Sequence, residues 1–230
     1  MFLRARNTRS NTPWLLAAVT AAWITVPHAR GVVIDQIDDF QDSTTQGWGI
    51  GAGPQPEIMT DGGPLGAGDR FMMMTADGSS SGGRLTVFNR SQWLGDYIAA
   101  GVTAVQIDLR NFSTQTLTIR IAFKNTTSPG SAGFSSATGF SLPADGQWHT
   151  AVFPITAAGM APVFNPGDFN TFMMNPAEMR ILHATSPSVT GNSIVAQMGV
   201  DNIRAIPAPG AAALLVSGAA LAFRRRRVYN

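Results

Sequence analysis

The chain has 230 residues with no cysteine and one lysine, and charged residues make up 13% of it. The missing thiols exclude disulfides, thiolate metal sites and cysteine nucleophiles, so stability must come from packing and hydrogen bonds. The formal charge of +2 is set by the ends: between residues 30 and 209, nine basic residues stand against fourteen acidic ones, a balance that lacks the footprint of phosphate-backbone binding and argues against a nucleic-acid partner.

The first residues read as a leader. Arg4, Arg6 and Arg9 precede a hydrophobic run from Trp14 to Val26, and Pro27-His28-Ala29 follows, the n-, h- and c-region order of a secretory signal. The run is short for a bilayer span, which favours cleavage, with Ala29 as the candidate site, over a permanent anchor. Residues 1–29 are read as a signal peptide built on a short helix. Residues 30–205 form one folded domain of about 175 residues, enough for a single core without staples.

From residue 32 onward short apolar runs alternate with turn signals, and no window holds a helical period over three turns. Strands are predicted at Val32 to Ile37, Arg70 to Thr75, Gly83 to Asn89, Ala104 to Arg110, Leu117 to Phe123, Gly139 to Leu142, Trp148 to Pro154, Met179 to His183 and Ile194 to Ala205. Strict alternation in Val105 to Arg110 and Leu117 to Ile121 gives each of these strands one buried and one wet face. Asp61-Gly62-Gly63, Asp77-Gly78, Ser128-Pro129-Gly130 and Asp145-Gly146 supply the reversals. The class is all-β, a jelly-roll-like sandwich of eight to nine strands. Ser91 to Ala100 reads as a short helical connector with a serine cap. The Met72-Met73-Met74 and Phe172-Met173-Met174 runs read as core strands.

Few residues offer chemistry. The chain holds two glutamates, Glu57 and Glu178, and beyond the leader two histidines, His149 and His183. His149 falls on the wet face of a predicted strand, and no hydrolase, metalloprotease or phosphate-loop pattern is present, so the chain reads as no enzyme. Sugars stack on exposed aromatic faces. Trp48, Trp93 and Tyr97, beside glycine-rich loops or on the connector, are the candidate ligand-binding residues, whereas Trp148 reads as core. No cofactor is required. A structural Ca²⁺ is the one ion the acidic residues leave room for, with Asp39 and Asp201 as its candidate ligands because the first and last strands of a jelly roll can meet; solvated edge carboxylates are the alternative.

After the body come Ile206-Pro207-Ala208-Pro209-Gly210, an apolar run from Ala211 to Phe223, and Arg224, Arg225, Arg226 and Arg227. A proline pair ends the last strand, the run suits a short transmembrane helix, and the arginines hold its end in the cytoplasm. This layout over residues 206–230 resembles the PEP-CTERM sorting signal, with Pro207, Ala208 and Pro209 at the motif and alanine where the commonest form has glutamate. The resemblance implies an exosortase-like enzyme as partner, transient membrane attachment, and a place in exopolysaccharide or biofilm material; a plain tail anchor has the same physics.

The body also resembles the galactose-binding-like jelly rolls of carbohydrate-binding modules. Ile37-Asp38-Asp39-Phe40 with Gly47-Trp48, the strand Gln147 to Ile155, and the closing Gly199-Val200-Asp201-Asn202-Ile203-Arg204 carry this likeness. It implies that the Trp148 strand packs in the sandwich. The combined reading is an exported, non-catalytic envelope or extracellular-matrix protein whose sandwich binds polysaccharide. Its alternative is a structural or protein-interaction domain with no sugar ligand.

Overall fold

The computed structural model describes residues 31–79 and 83–207. The leader, Ala208, Pro209, the apolar run of the tail and Arg224 to Arg227 lie outside the described residues. Among the described residues no helix is long and apolar enough to cross a membrane.

Thirteen strands are described. In chain order they are β1 (Ile37–Asp38), β2 (Trp48–Gly49), β3 (Glu57–Met59), β4 (Phe71–Asp77), β5 (Thr86–Asn89), β6 (Val102–Asn111) and β7 (Leu117–Lys124). They continue with β8 (Gly133–Ser136), β9 (Phe140–Leu142), β10 (Trp148–Pro154), β11 (Met160–Val163), β12 (Glu178–His183) and β13 (Val195–Pro207). One sheet runs β10-β6-β13-β4-β3 with β1 also on β13; the other runs β11-β8-β7-β12-β5-β2 with β9 also on β7. The paired strands are antiparallel. The expected all-β sandwich is the observed fold, with thirteen strands where eight to nine are expected, because short strands such as β2 and β3 are added at the edges.

The apolar sets of the two sheets meet between them. Val105, Ile107 and Leu109 of β6, Met72 and Met74 of β4 and Met198 and Val200 of β13 face Ile119, Ile121 and Phe123 of β7, with Met179 and Ile181 of β12. Each such side chain removed from water contributes about 1.5–3 kcal/mol. On β6 the partners Gln106, Asp108 and Arg110 point outward, as the alternation predicts. On β7 the wet face is absent: Arg120, Ala122 and Lys124 are buried as well. The segment after β12 folds over that face, packing Val189 and Ala184 on Ala122 and Leu182. Arg120 is satisfied there by the carbonyls of Ala184, Ser136 and Ala137.

Three predicted elements change type or extent. The strand expected at Val32 to Ile37 is mostly loop and turn, with β1 confined to Ile37–Asp38 at its end. The connector is helical only over α1 (Tyr97–Ala100), with Asp96 rather than Ser91 as its cap, because Gly95 sits at φ 105° and interrupts the chain just before it. Phe172 and Met173 lie not in a strand but in α2 (Phe169–Met173). Asp168 starts that helix by accepting from the Thr171 amide and hydroxyl, and Phe169 and Phe172 pack edge-on against Phe134 of β8.

Candidate functional site

The aromatic residues singled out in the sequence are core residues. Trp48, Trp93 and Tyr97 are 2%, 0% and 0% exposed. The indole N–H groups of Trp48 and Trp93 both donate to Asp38 Oδ2, at 2.7 and 2.6 Å, and Gln92 Nε2 donates to the same oxygen at 3.1 Å. Tyr97 donates its hydroxyl to the Trp93 carbonyl at 2.8 Å. Burial pushes the Asp38 carboxyl up, and the three donors pull it back. This knot ties β1 to β2 and to the loop before α1, and its rings are covered on both faces, so none of the three offers a platform to a sugar.

Trp148 is displaced in the opposite sense. It points to the outer face of its sheet, half-buried, and donates to the Gly62 carbonyl at 3.0 Å. Its neighbours in β10, Ala151 and Phe153, take the core positions. Phe71 meets Trp148 edge-on at 5.2 Å and stacks on Phe112 at 6.0 Å. The cluster closes over Gly199, where a Cβ would stand only 2.9 to 3.1 Å from all three rings. His149 falls on the Ala151 side of β10 instead of the expected wet face, and pairs with Asp145 at 2.9 Å. His183 Nδ1 accepts from the Thr118 amide at 3.1 Å, and burial lowers its pKa.

Asp39 and Asp201 are drawn toward one region by β1 and β13, yet only partly together. Asp201 is 0% exposed and its Oδ2 has no hydrogen-bond partner. Burial first, then the neighbouring carboxylates of Asp69, Asp108 and Asp39, push its carboxyl up to about 8. Asp39 instead lines a shallow depression with Gln41, Asp69 and Asn202. Ca²⁺ takes about 6–8 oxygens. The orphaned Asp201 oxygen is a donor of the right kind, but among the described residues no three histidine, aspartate or glutamate side chains gather closely enough to share an ion. Main-chain carbonyls would have to complete the shell.

A second concavity lies elsewhere, on the outer face of the β7-β12-β5 sheet. It is a cleft of about 400 Å³. Its floor is set by register: Arg180 of β12 lies opposite Phe88 of β5, and Glu178 opposite Lys124 of β7. Thr86 extends the floor, and Ile50, Thr127 and Thr190 from three loops form walls. Glu178 is 0% exposed beneath the floor. It accepts from Arg90 Nε at 2.6 Å and from Arg180 Nε, and lies 3.9 Å from Lys124 Nζ. Arg180 also donates to the Val189 carbonyl at 2.8 Å, and Lys124 to the Ser128 carbonyl at 2.9 Å. The Arg90 guanidinium stands 4.0 Å over the Phe88 ring, with Arg180 at 5.6 Å. Burial and the adjacent arginines lower the Lys124 pKa, against Glu178, which raises it.

None of the residues lining the cleft is a site candidate from the sequence, and Glu178 beneath it stands out only as one of two glutamates, although one signal was readable. Arg84, Thr86 and Phe88 recur at a period of two through the predicted strand Gly83 to Asn89, and Arg90 follows it in the same phase, which puts all four on one face. The cleft is lined by no carboxylate, and Glu178 is engaged by its arginines, so the carboxylate pair that glycoside hydrolysis requires is not assembled there.

No protein-family model matches the sequence, and no curated protein matches it. Among solved structures, an exo-beta-agarase superposes on 76% of this chain with TM-score 0.54 and 12% identity, and the agarase AgWH50C on 76% with TM-score 0.51 and 10% identity. This chain spans only 25% and 24% of those two proteins. A family 11 carbohydrate-binding module from Clostridium thermocellum, in complex with a beta-1,3-1,4-mixed-linked tetrasaccharide, is similar over 76% of this chain and 97% of its own, with TM-score 0.45 and 18% identity. The agarase likenesses establish a shared β-sandwich fold.

Proposed function

We propose that this is an exported, non-catalytic envelope or extracellular-matrix protein whose β-sandwich binds polysaccharide in the Phe88 cleft. The observation that carries the reading is the cleft itself: a concave site with an aromatic floor and fixed, convergent polar groups, the form that small-ligand and sugar sites take. Sugar as the ligand class is suggested by the fold relatives, two of which are agarases. Export rests on the leader at 1–29. Sorting by an exosortase-like enzyme rests on Pro207, Ala208 and Pro209 with the run and arginines behind them, and exopolysaccharide is the partner that fits both ends.

Affinity electrophoresis of the full-length chain through gels holding different polysaccharides tests the cleft. Retardation that Phe88→Ala weakens at least tenfold supports it. No retardation in any gel moves the reading to a structural or protein-interaction domain. For the tail, Pro207→Ala with Pro209→Ala should leave the unprocessed form to accumulate in cell membranes; unchanged processing would remove the sorting reading. A structural Ca²⁺ held by Asp201 and Asp39 belongs to the same proposal. Added Ca²⁺ should raise Tm in the parent chain and not in Asp201→Asn, and an unchanged Tm would exclude it.

A further inference from the structure

We infer that the ligand of the Phe88 cleft is an anionic glycan, a polysaccharide carrying carboxylate or sulfate groups; this rests on the polysaccharide reading above. The first ground is where the charge lies. The body holds nine basic residues against fourteen acidic ones, yet Arg84, Arg90, Lys124 and Arg180 all line this one cleft and no acidic residue does. Glu178 beneath the floor offsets one of the four. Arg90, Lys124 and Arg180 are held in place by hydrogen bonds, Arg84 stands exposed at the rim, and at the partly buried floor attraction to an anion exceeds that in open water.

The second ground is the donor inventory. A neutral sugar hydroxyl both donates and accepts, so sites for neutral sugars need acceptors as well as donors. Here the guanidinium and ammonium groups only donate, and threonine hydroxyls are the side-chain acceptors in the lining. Glu178 takes the Nε of both Arg90 and Arg180. The Nη atoms of Arg90 and the whole Arg84 guanidinium have no acceptor among the described residues. A fork of unmet donors matches groups that only accept, and guanidinium pairs with planar carboxylate or with sulfate through two parallel bonds. Ile50 and the part of the Phe88 ring that Arg90 leaves uncovered supply the apolar surface for the ring of the same residue. A long polyanion such as nucleic acid needs a cationic track, whereas this patch is confined to a single cleft on an otherwise acidic body.

The test compares polymers of one backbone with and without charge: hydroxyethyl cellulose against carboxymethyl cellulose, and dextran against dextran sulfate, with polyglutamate as a sugar-free polyanion. We expect the full-length chain to bind a charged member at least tenfold more tightly than its neutral counterpart. The carboxylate and sulfate arms tell the two groups apart. Raising NaCl from about 50 to about 300 mM should weaken that binding several-fold by screening. Arg84→Gln with Arg90→Gln, both on the rim, should bring the charged polymer down to the neutral level. Equal binding of neutral and charged members would overturn the inference and leave the polysaccharide reading standing; binding of none would overturn both. Polyglutamate bound as tightly as the charged glycans would show a general polyanion site and also overturn it. If the double variant fails to fold, the salt response of the parent chain decides, and salt-insensitive binding is the overturning result.

Discussion

Asp38 and Asp201 are two buried carboxyls with opposite fortunes. Asp38 gathers three donors on one oxygen, so Asp38→Ala would strand two buried indole N–H groups; at about 1–3 kcal/mol for each unmet donor, denaturant unfolding should show a loss of about 2–5 kcal/mol. Asp38→Asn keeps an acceptor oxygen and should lose less. Asp201 has the unmet atom on its own side chain. Its folded pKa of about 8 lies above the unfolded value near 3.8, so the folded chain keeps a proton that the unfolded chain releases. The stabilisation is complete below the unfolded pKa and is lost as pH rises through the folded one, at a limiting slope of about 1.4 kcal/mol per pH unit. Urea midpoints in the absence of Ca²⁺ should fall from pH 5 to pH 8 in the parent chain and fall much less in Asp201→Asn. An unchanged pH dependence in that variant would show that Asp201 is not the group responsible. The aromatic choices failed at this scale for a physical reason: a tryptophan beside glycine-rich loops reads the same whether it faces water or meets a carboxylate, and the partner that buries Trp48 lies ten residues upstream in Asp38.

At the scale of elements, β13 pairs with β1, β4 and β6 and packs its bare Gly199 under three rings. Gly199→Ala drives a methyl group into Trp148, Phe112 and Phe71, and overpacking of this kind costs about 1–3 kcal/mol; a matching drop in thermal stability is expected, with altered Trp148 fluorescence. How well an element could be read depended on how strongly its own residues declared it. β6, β10 and β12 carry alternation or apolar runs and lie where they were expected. β8 and β11, with Gly133, Ser135, Ser136 and Pro162, have no such pattern, and their pairing with β7 and with each other defines them. β2 and β3 are too short to show a period. Phe172-Met173 is apolar enough for either type, and the Asp168 cap tipped it to helix. The covered face of β7 was invisible because what covers it, Val189, lies more than sixty residues downstream. The cleft floor was legible only as the period-two row from Arg84 to Arg90; its other half comes from β7 and β12 and appears once the sheet is formed.

For the molecule as a whole, the last strand completes the sheet that the earlier ones begin. A chain ending at Pro207 should therefore melt cooperatively, whereas one ending at Ile194 leaves β1, β4 and β6 without their shared partner and should show no cooperative transition by calorimetry; cooperative melting of the shorter chain would mean that β13 is dispensable. The placement of Pro207 has a mechanical corollary. It is the last residue of β13, paired with Val102 of β6. Tension applied to the chain beyond Pro207 would enter the domain along the axis of its most heavily bonded strand. It would be met in shear by the ladders of β13 to β1, β4 and β6, not by rungs that open one at a time.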